Sequence, residues 1–313
     1  MKQLKPLKFW IIFTALLLLN GCNNSEPIKI AISPWIGYEM PYISDNLKDY
    51  PEIQYINTIN SSQTMHLLKN KEVDAGYLTL GQVLQLRDQG VPLTVLLISN
   101  ISAGSDIVVA QANIQTASDI KGKVIGYKKN ALGEIMLYHF LHKYQLTRAD
   151  VKLYDINGKD EIKAFKNKEI DIVISFFPQA SKLLKLGANE LFDSSEIPET
   201  ILDVLAVREP VFKTRASDIC SAVHIHLRGV DYLKSNYEDS KYQLAQLLNV
   251  TAQEAEKSLN GISIPSTEAN YHFLEKQSHF SKISNNLFHL LQKNKLLKNH
   301  DDLTNLYSNQ CIK

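Results

Sequence analysis

Aromatic rings and short polar side chains recur in this sequence where apolar runs stop. Trp35 and Tyr38 follow the run ending at Ile32, Tyr77 and Thr79 close another, and Phe176 and Phe177 close a third. Ser105 stands between two apolar runs, and Asn130 precedes a helical pattern. Such rings hold a flat or cationic molecule by stacking or cation–π contact, each worth about 0.5–2 kcal/mol. Hydroxyls beside the free N–H groups of a helix start suit a carboxylate, sulfonate or phosphate instead. Asn130 fits the N-cap of the helix from Ala131, while Lys128 and Lys129 read as solvated lysines. Trp35 and Tyr38 have packing alternatives, and at most one of Phe176 and Phe177 is expected to meet a ligand. No acidic residue is clearly placed to choose an amine.

Bond-breaking chemistry has less support. There is no Gly-x-Ser-x-Gly elbow, P-loop or His-Glu-x-x-His. His224 and His226 fall in a predicted helix, where i and i+2 point apart. His139 and His142 share a helix face without a third ligand nearby. No catalytic residue, metal or cofactor is therefore expected.

The chain opens with Lys2, Lys5 and Lys8, then an apolar run from Phe9 to Leu19, too short to cross a bilayer that needs about 20 residues. That order is a signal segment over 1–21. Leu19-Asn20-Gly21-Cys22 resembles a lipobox, so Cys22 is expected to carry lipid (palmitate among the acyl chains), with 22–27 a polar tether. Cys220 and Cys311 remain, and outside the cytoplasm such a pair predicts a disulfide. Without the three leader lysines, 34 Lys+Arg against 33 Asp+Glu become 31 against 33. That balance carries no electrostatic footprint for nucleic acid.

The elements that must position these residues alternate. Strands are predicted at 29–32, 53–59, 73–77, 93–98, 106–110, 124–127, 151–154, 170–176 and 202–207. Helices are predicted at 40–47, 62–70, 80–89, 131–144, 160–167 and 179–186. This alternation predicts an α/β fold of mixed, mostly parallel sheets flanked by helices. From Pro210 onward the pattern is almost wholly helical. In doubly wound sheets ligands bind beyond the carboxyl ends of strands, which selects the residues named above.

Lys69-Asn70-Lys71-Glu72-Val73-Asp74 recurs as Lys166-Asn167-Lys168-Glu169-Ile170-Asp171, each copy between a helix and a strand. The echo predicts two similarly built lobes. Lobe 1 would take 28–105 and 205–313 with the helical C-terminal part, and lobe 2 would take 106–204, joined by two hinge strands around a cleft.

Ser33-Pro34-Trp35-Ile36-Gly37-Tyr38-Glu39-Met40-Pro41, Glu72-Val73-Asp74-Ala75-Gly76, Ser118-Asp119-Ile120-Lys121-Gly122-Lys123-Val124-Ile125-Gly126 and Asp171-Ile172-Val173-Ile174 occur in that order. Together they resemble the alkanesulfonate/nitrate/thiamine-pyrimidine group of ABC-transporter substrate-binding proteins over about 28–207. The resemblance implies a two-lobed, type 2 periplasmic-binding fold that captures a small solute for an ABC permease, with the Trp35 segment lining the pocket. The expected protein is a monomer, lipid-anchored on the periplasmic side of a membrane. Two alternatives share these features: a lipoprotein signalling to a membrane sensor, and an extracytoplasmic enzyme of the pyrimidine-synthase branch. The second lacks the cysteine-rich motif of that branch.

Overall fold

The computed structural model describes residues 26–43, 45–156, 160–275 and 279–312; the expected signal, Cys22 and residues 23–25 of the tether lie outside the described residues. Eleven strands are described: β1 Ile28–Ile32, β2 Ile53–Asn57, β3 Ala75–Thr79, β4 Leu93–Ser102, β5 Asp106–Ala110, β6 Val124–Tyr127, β7 Lys152–Asp155, β8 Ile172–Phe176, β9 Asn189–Asp193, β10 Leu202–Arg208 and β11 Ile262–Ser263. They form two sheets, in the orders β11-β4-β10-β3-β1-β2 and β7-β6-β8-β5-β9.

β1 runs parallel to β2 and β3, and β6 to β7 and β8; the other pairings are antiparallel. The parallel majority expected from the alternation is therefore absent. β10 lies antiparallel between β3 and β4, and β5 lies antiparallel between β8 and β9. These are strands by which the chain enters a sheet from the other one, and they set the mixed character. The short strands β9 and β11 carry no alternating pattern that the sequence reading could detect.

The central strands of the first sheet are buried almost throughout: β4 is buried at all ten positions and β10 at all but Arg208. Such strands read as continuous apolar runs because helices cover both faces. One cover is the helix Ala216–Ser235, which buries Ile219, Val223 and Val230, and another is Leu80–Asp88, on which His279–Lys293 packs in turn, burying Phe280, Leu287 and Leu291. The C-terminal helical region thus packs with the first sheet.

The chain end is fastened as well. Cys220 and Cys311 form a disulfide with their Cα atoms 4.9 Å apart. The Cys311 carbonyl lies 3.0 Å from His224 Nε2. Val95 N–H donates to Leu306 O at 2.7 Å, and Ser308 N–H donates to Val95 O at 2.9 Å. The Arg87 guanidinium donates to both Asp301 oxygens, at 2.6 and 2.9 Å.

The repeated hexapeptide folds the same way twice. Lys71 and Lys168 take φ of 62° and 60°. Asn70 and Asn167 each donate a side-chain amide to the Glu two residues on, at 3.0 and 2.9 Å. Asp74 accepts the N–H of Lys29 at 3.0 Å, and Asp171 accepts that of Val124 at 2.9 Å. In each copy, the acid ties the turn to the first residues of a neighbouring strand segment.

The chain passes from β4 to β5 and returns from β9 to β10, so β5–β9 form the second sheet between two crossings. Ser194, on the return, joins the crossings. Its Oγ lies 2.7 Å from Ser102 Oγ and accepts the Gly104 N–H at 2.7 Å.

Candidate ligand-binding site

Beyond β1 the backbone stays extended at Trp35 and then tightens into a single 3-10 turn, Ile36–Tyr38, closed by Tyr38 N–H to Trp35 O at 2.8 Å. This turn aims two rings at the strand crossings. The Trp35 indole N–H donates to Asn100 Oδ1 at 3.0 Å. The Asn100 amide donates to Asp203 Oδ2 at 2.8 Å, and the Tyr38 hydroxyl donates to Asp203 Oδ1 at 2.5 Å. Gly37 is required by close approach, since a Cβ there would lie 1.8 Å from Asn100 Oδ1. Trp35 also meets Phe176 at the end of β8, edge to face, with centroids 5.9 Å apart. A ring held by the first sheet therefore touches a ring held by the second.

Two carboxyls are buried beside this pair. Burial pushes Asp203 up to about 7, with Asp106 adding to the rise and the Tyr38 and Asn100 hydrogen bonds opposing it. Burial raises Asp106 to about 6 against a Ser102 hydrogen bond. His226 is moved the other way, down to about 3, by burial. The signs set the pH profile. An unfolded Asp loses its proton near pH ~4 and His titrates near ~6.5. The folded state keeps the Asp203 proton up to about 7, so stability falls as pH rises through that window; the His226 contribution falls as pH drops below its unfolded value. Melting should therefore occur at a lower temperature near about pH 8 than near about pH 6, and Asp203→Asn should narrow that gap. An unchanged gap in a calorimetric comparison would remove Asp203 from the account.

Three helix starts gather nearby. Asn60 caps Ser61–Lys69, accepting Gln63 N–H at 3.0 Å. Thr79 caps Leu80–Asp88 through a capping box with Gln82, whose amide also donates to Ser61 Oγ at 2.8 Å. Asn130 caps Ala131–Lys143, accepting Gly133 N–H at 2.9 Å. Lys128 Nζ reaches Ser62 Oγ at 3.1 Å, and partial burial lowers its pKa. A Cβ on Gly81 would sit 2.8 Å from the Ala131 Cβ, so the second and third helix starts are in contact. Helix N-termini carry partial positive charge, and beside Lys128 they make this corner receptive to an anion.

The candidate residues thus separate. Trp35 and Phe176 come together, Phe176 being 38% exposed, and Tyr38 is joined to Trp35 through Asp203 and Asn100. Thr79 and Asn130 spend their side-chain oxygens on helix caps at the anion-receptive corner. Ser105 latches the crossing: its N–H donates to Gly261 O at 3.0 Å and its carbonyl accepts Phe177 N–H at 2.9 Å.

Two candidates are buried among packing partners. Tyr77 is fully buried, tilted against Tyr38 and stacked on His226, with its hydroxyl 3.1 Å from His226 Nδ1. Strand alternation turns it toward the helix Ala216–Ser235. Phe177 is 5% exposed in the core of the second sheet, with Lys257 Nζ 4.3 Å from its ring centroid.

Asn100, Asp203 and Asp106 escaped the sequence reading. The strand predicted at 93–98 stops short of Asn100, yet β4 continues through it to Ser102. A lone acid inside or heading an apolar strand, as in Leu202-Asp203-Val204 and Asp106-Ile107-Val108, was the available signal. Both acids are buried, and Asp203 is engaged by Tyr38 and Asn100. Among the described residues no group of His, Cys, Asp and Glu could hold a metal ion, and no helix is long and apolar enough to cross a membrane.

The profile of the family described as NMT1/THI5 like matches residues 52–239. A putative binding protein of Brucella abortus is 25% identical over 173 residues, covering 52% of this chain and 53% of that protein. A putative thiamine biosynthesis protein of Haemophilus influenzae is 28% identical over 183 residues, covering 52% and 56%. The chain spans about half the length of these curated relatives. Among solved structures, the periplasmic aliphatic sulphonate binding protein SsuA of Escherichia coli superposes with a TM-score of 0.76 at 17% identity, covering 90% of this chain and 97% of that one. The alkanesulfonate-binding protein SsuA of Xanthomonas axonopodis pv. citri, bound to MOPS, gives 0.72 at 15% identity, covering 91% and 99%. The desulfurization enzyme DSZB shares the fold too, with a TM-score of 0.68 at 14% identity, covering 92% and 98%. With the two sheets, the paired crossings and the profile over more than half its length, the chain belongs to the NMT1/THI5-like family and has the type 2 periplasmic-binding fold.

Proposed function

We propose that this protein is an extracytoplasmic solute-binding protein that captures a small molecule between two lobes and delivers it to an ABC permease. The observation that carries this reading is the contact of Trp35 with Phe176, because a ring from each sheet closes over the strand ends where such folds take ligands. The names of the relatives, binding proteins among them, support it.

Within this reading, 28–105 and 205–313 form one lobe and 106–204 the other. The capped helix starts and Lys128 take an anionic group of the solute. The rings of Trp35 and Phe176 take its flat or apolar part. Lipid on Cys22 holds the protein as a monomer at the periplasmic side of a membrane, which keeps the captured solute near its permease.

A thermal-shift screen over aliphatic sulfonates, nitrate, aminopyrimidines, phosphonates and amino acids tests the proposal, since a ligand of the folded state raises stability by RT ln(1 + [L]/Kd). One class should raise the melting temperature and be recovered chemically unchanged. A bound compound returned as product would favour the enzymatic alternative, and no response in any class would sink the capture reading.

A further inference from the structure

Asn100 occupies a junction that neither of its neighbours shares. It lies on β4, which leaves the first sheet, and its register partner is Asp203 on β10, which returns to it. Its amide group is divided between two tasks, Oδ1 accepting the Trp35 indole N–H and Nδ2 donating to Asp203. Asn100 is fully buried, so neither hydrogen bond is exchanged freely with water. The bare Cα of Gly37 leaves the room that Oδ1 occupies. Trp35 itself is only partly buried, and without this bond its ring has the Phe176 edge as its described aromatic contact.

We infer that Asn100 is a positioning residue, fixing the Trp35 indole against Phe176 and passing the spacing of the two crossing strands to that ring. The inference rests on the reading that Trp35 faces the solute. It nevertheless concerns the protein with no solute added. A change in the spacing of β4 and β10 at this pair displaces the Asn100 amide, and the indole follows because its N–H has that oxygen as partner, with Asp203, tied to the same amide, as its other polar neighbour. Asparagine suits the task because one planar group both accepts and donates; Ser is too short to reach both partners, and Asp would set a second carboxyl against Asp203.

The chain has two tryptophans, Trp10 and Trp35, so a Trp10→Phe background leaves Trp35 as its sole indole. In that background Asn100→Ala should shift Trp35 emission to the red and raise its acrylamide quenching constant by about twofold as the buried N–H bond is lost. Gly37→Ala, which leaves Asn100 in the chain but drives its amide away, should reproduce both changes. It also serves if Asn100→Ala does not fold. A lowered melting temperature with unchanged emission and quenching in both variants would show a purely structural Asn100 and overturn the inference. Unchanged values in all three measurements would overturn it too. Because no solute enters these measurements, a silent thermal-shift screen would remove the capture reading while leaving their outcome intact.

Discussion

Replacing Trp35 with Ala should weaken solute binding by about tenfold or more, a loss of about 1.4 kcal/mol for each factor of ten. One loss falls on binding, and two fall on the protein itself. The solute loses a ring worth about 0.5–2 kcal/mol in stacking or cation–π contact. Phe176 loses the partner that meets it from the other sheet at 5.9 Å. Asn100 Oδ1 is left buried without its indole donor, a penalty of about 1–3 kcal/mol that falls on the folded protein with or without solute. Trp35→Phe separates them, keeping a ring while removing the N–H. Isothermal titration with the compound found by the screen measures both variants, and wild-type affinity in Trp35→Ala would remove the indole from the site.

The second large effect is on stability. Cys311→Ser should lower the melting temperature by roughly 10 °C, because the disulfide closes a loop of 91 residues in sequence separation. The chain-entropy account assigns a closure of that size about 4 kcal/mol, and a large domain loses about 2–4 °C per kcal/mol. The loss should spread to the tail, whose strand-like contacts with Val95 lie just before Cys311. Scanning calorimetry with and without reductant measures the effect. Wild type in reductant should match the variant, and a free thiol at Cys220 in non-reduced wild type would contradict the bridge.

How much of this was legible in the sequence depended on which physical signal a residue leaves. The strand at Asp106–Ala110 and the one at Val124–Tyr127 were read to the residue, because an apolar run bounded by polar turns has one economical explanation. Asn130 was read as an N-cap because capping is local: residue type and the helix behind it suffice. The burial of Tyr77 and Phe177 is hidden for the opposite reason. Both sit at strand ends, where the sequence shows proximity to the cleft but not which face the ring takes; that is settled by the helix Ala216–Ser235 for one and by the core around Leu183 for the other. The Asn100–Asp203 pair was illegible because its meaning is a cross-strand register between residues 103 apart.

Ser194 bears on how the chain could be cut and rejoined. By bonding Ser102 Oγ and the Gly104 N–H, it holds the start and finish of the inserted strands side by side, and Ser102 N–H donates to Ile201 O at 2.9 Å beside them. Adjacent ends are what make a unit tolerable as an insertion. In engineering terms a linker replacing β5–β9 would be shortest at this junction, and the packing of the helix Leu80–Asp88 on Ala131–Lys143 is what such a cut would have to part.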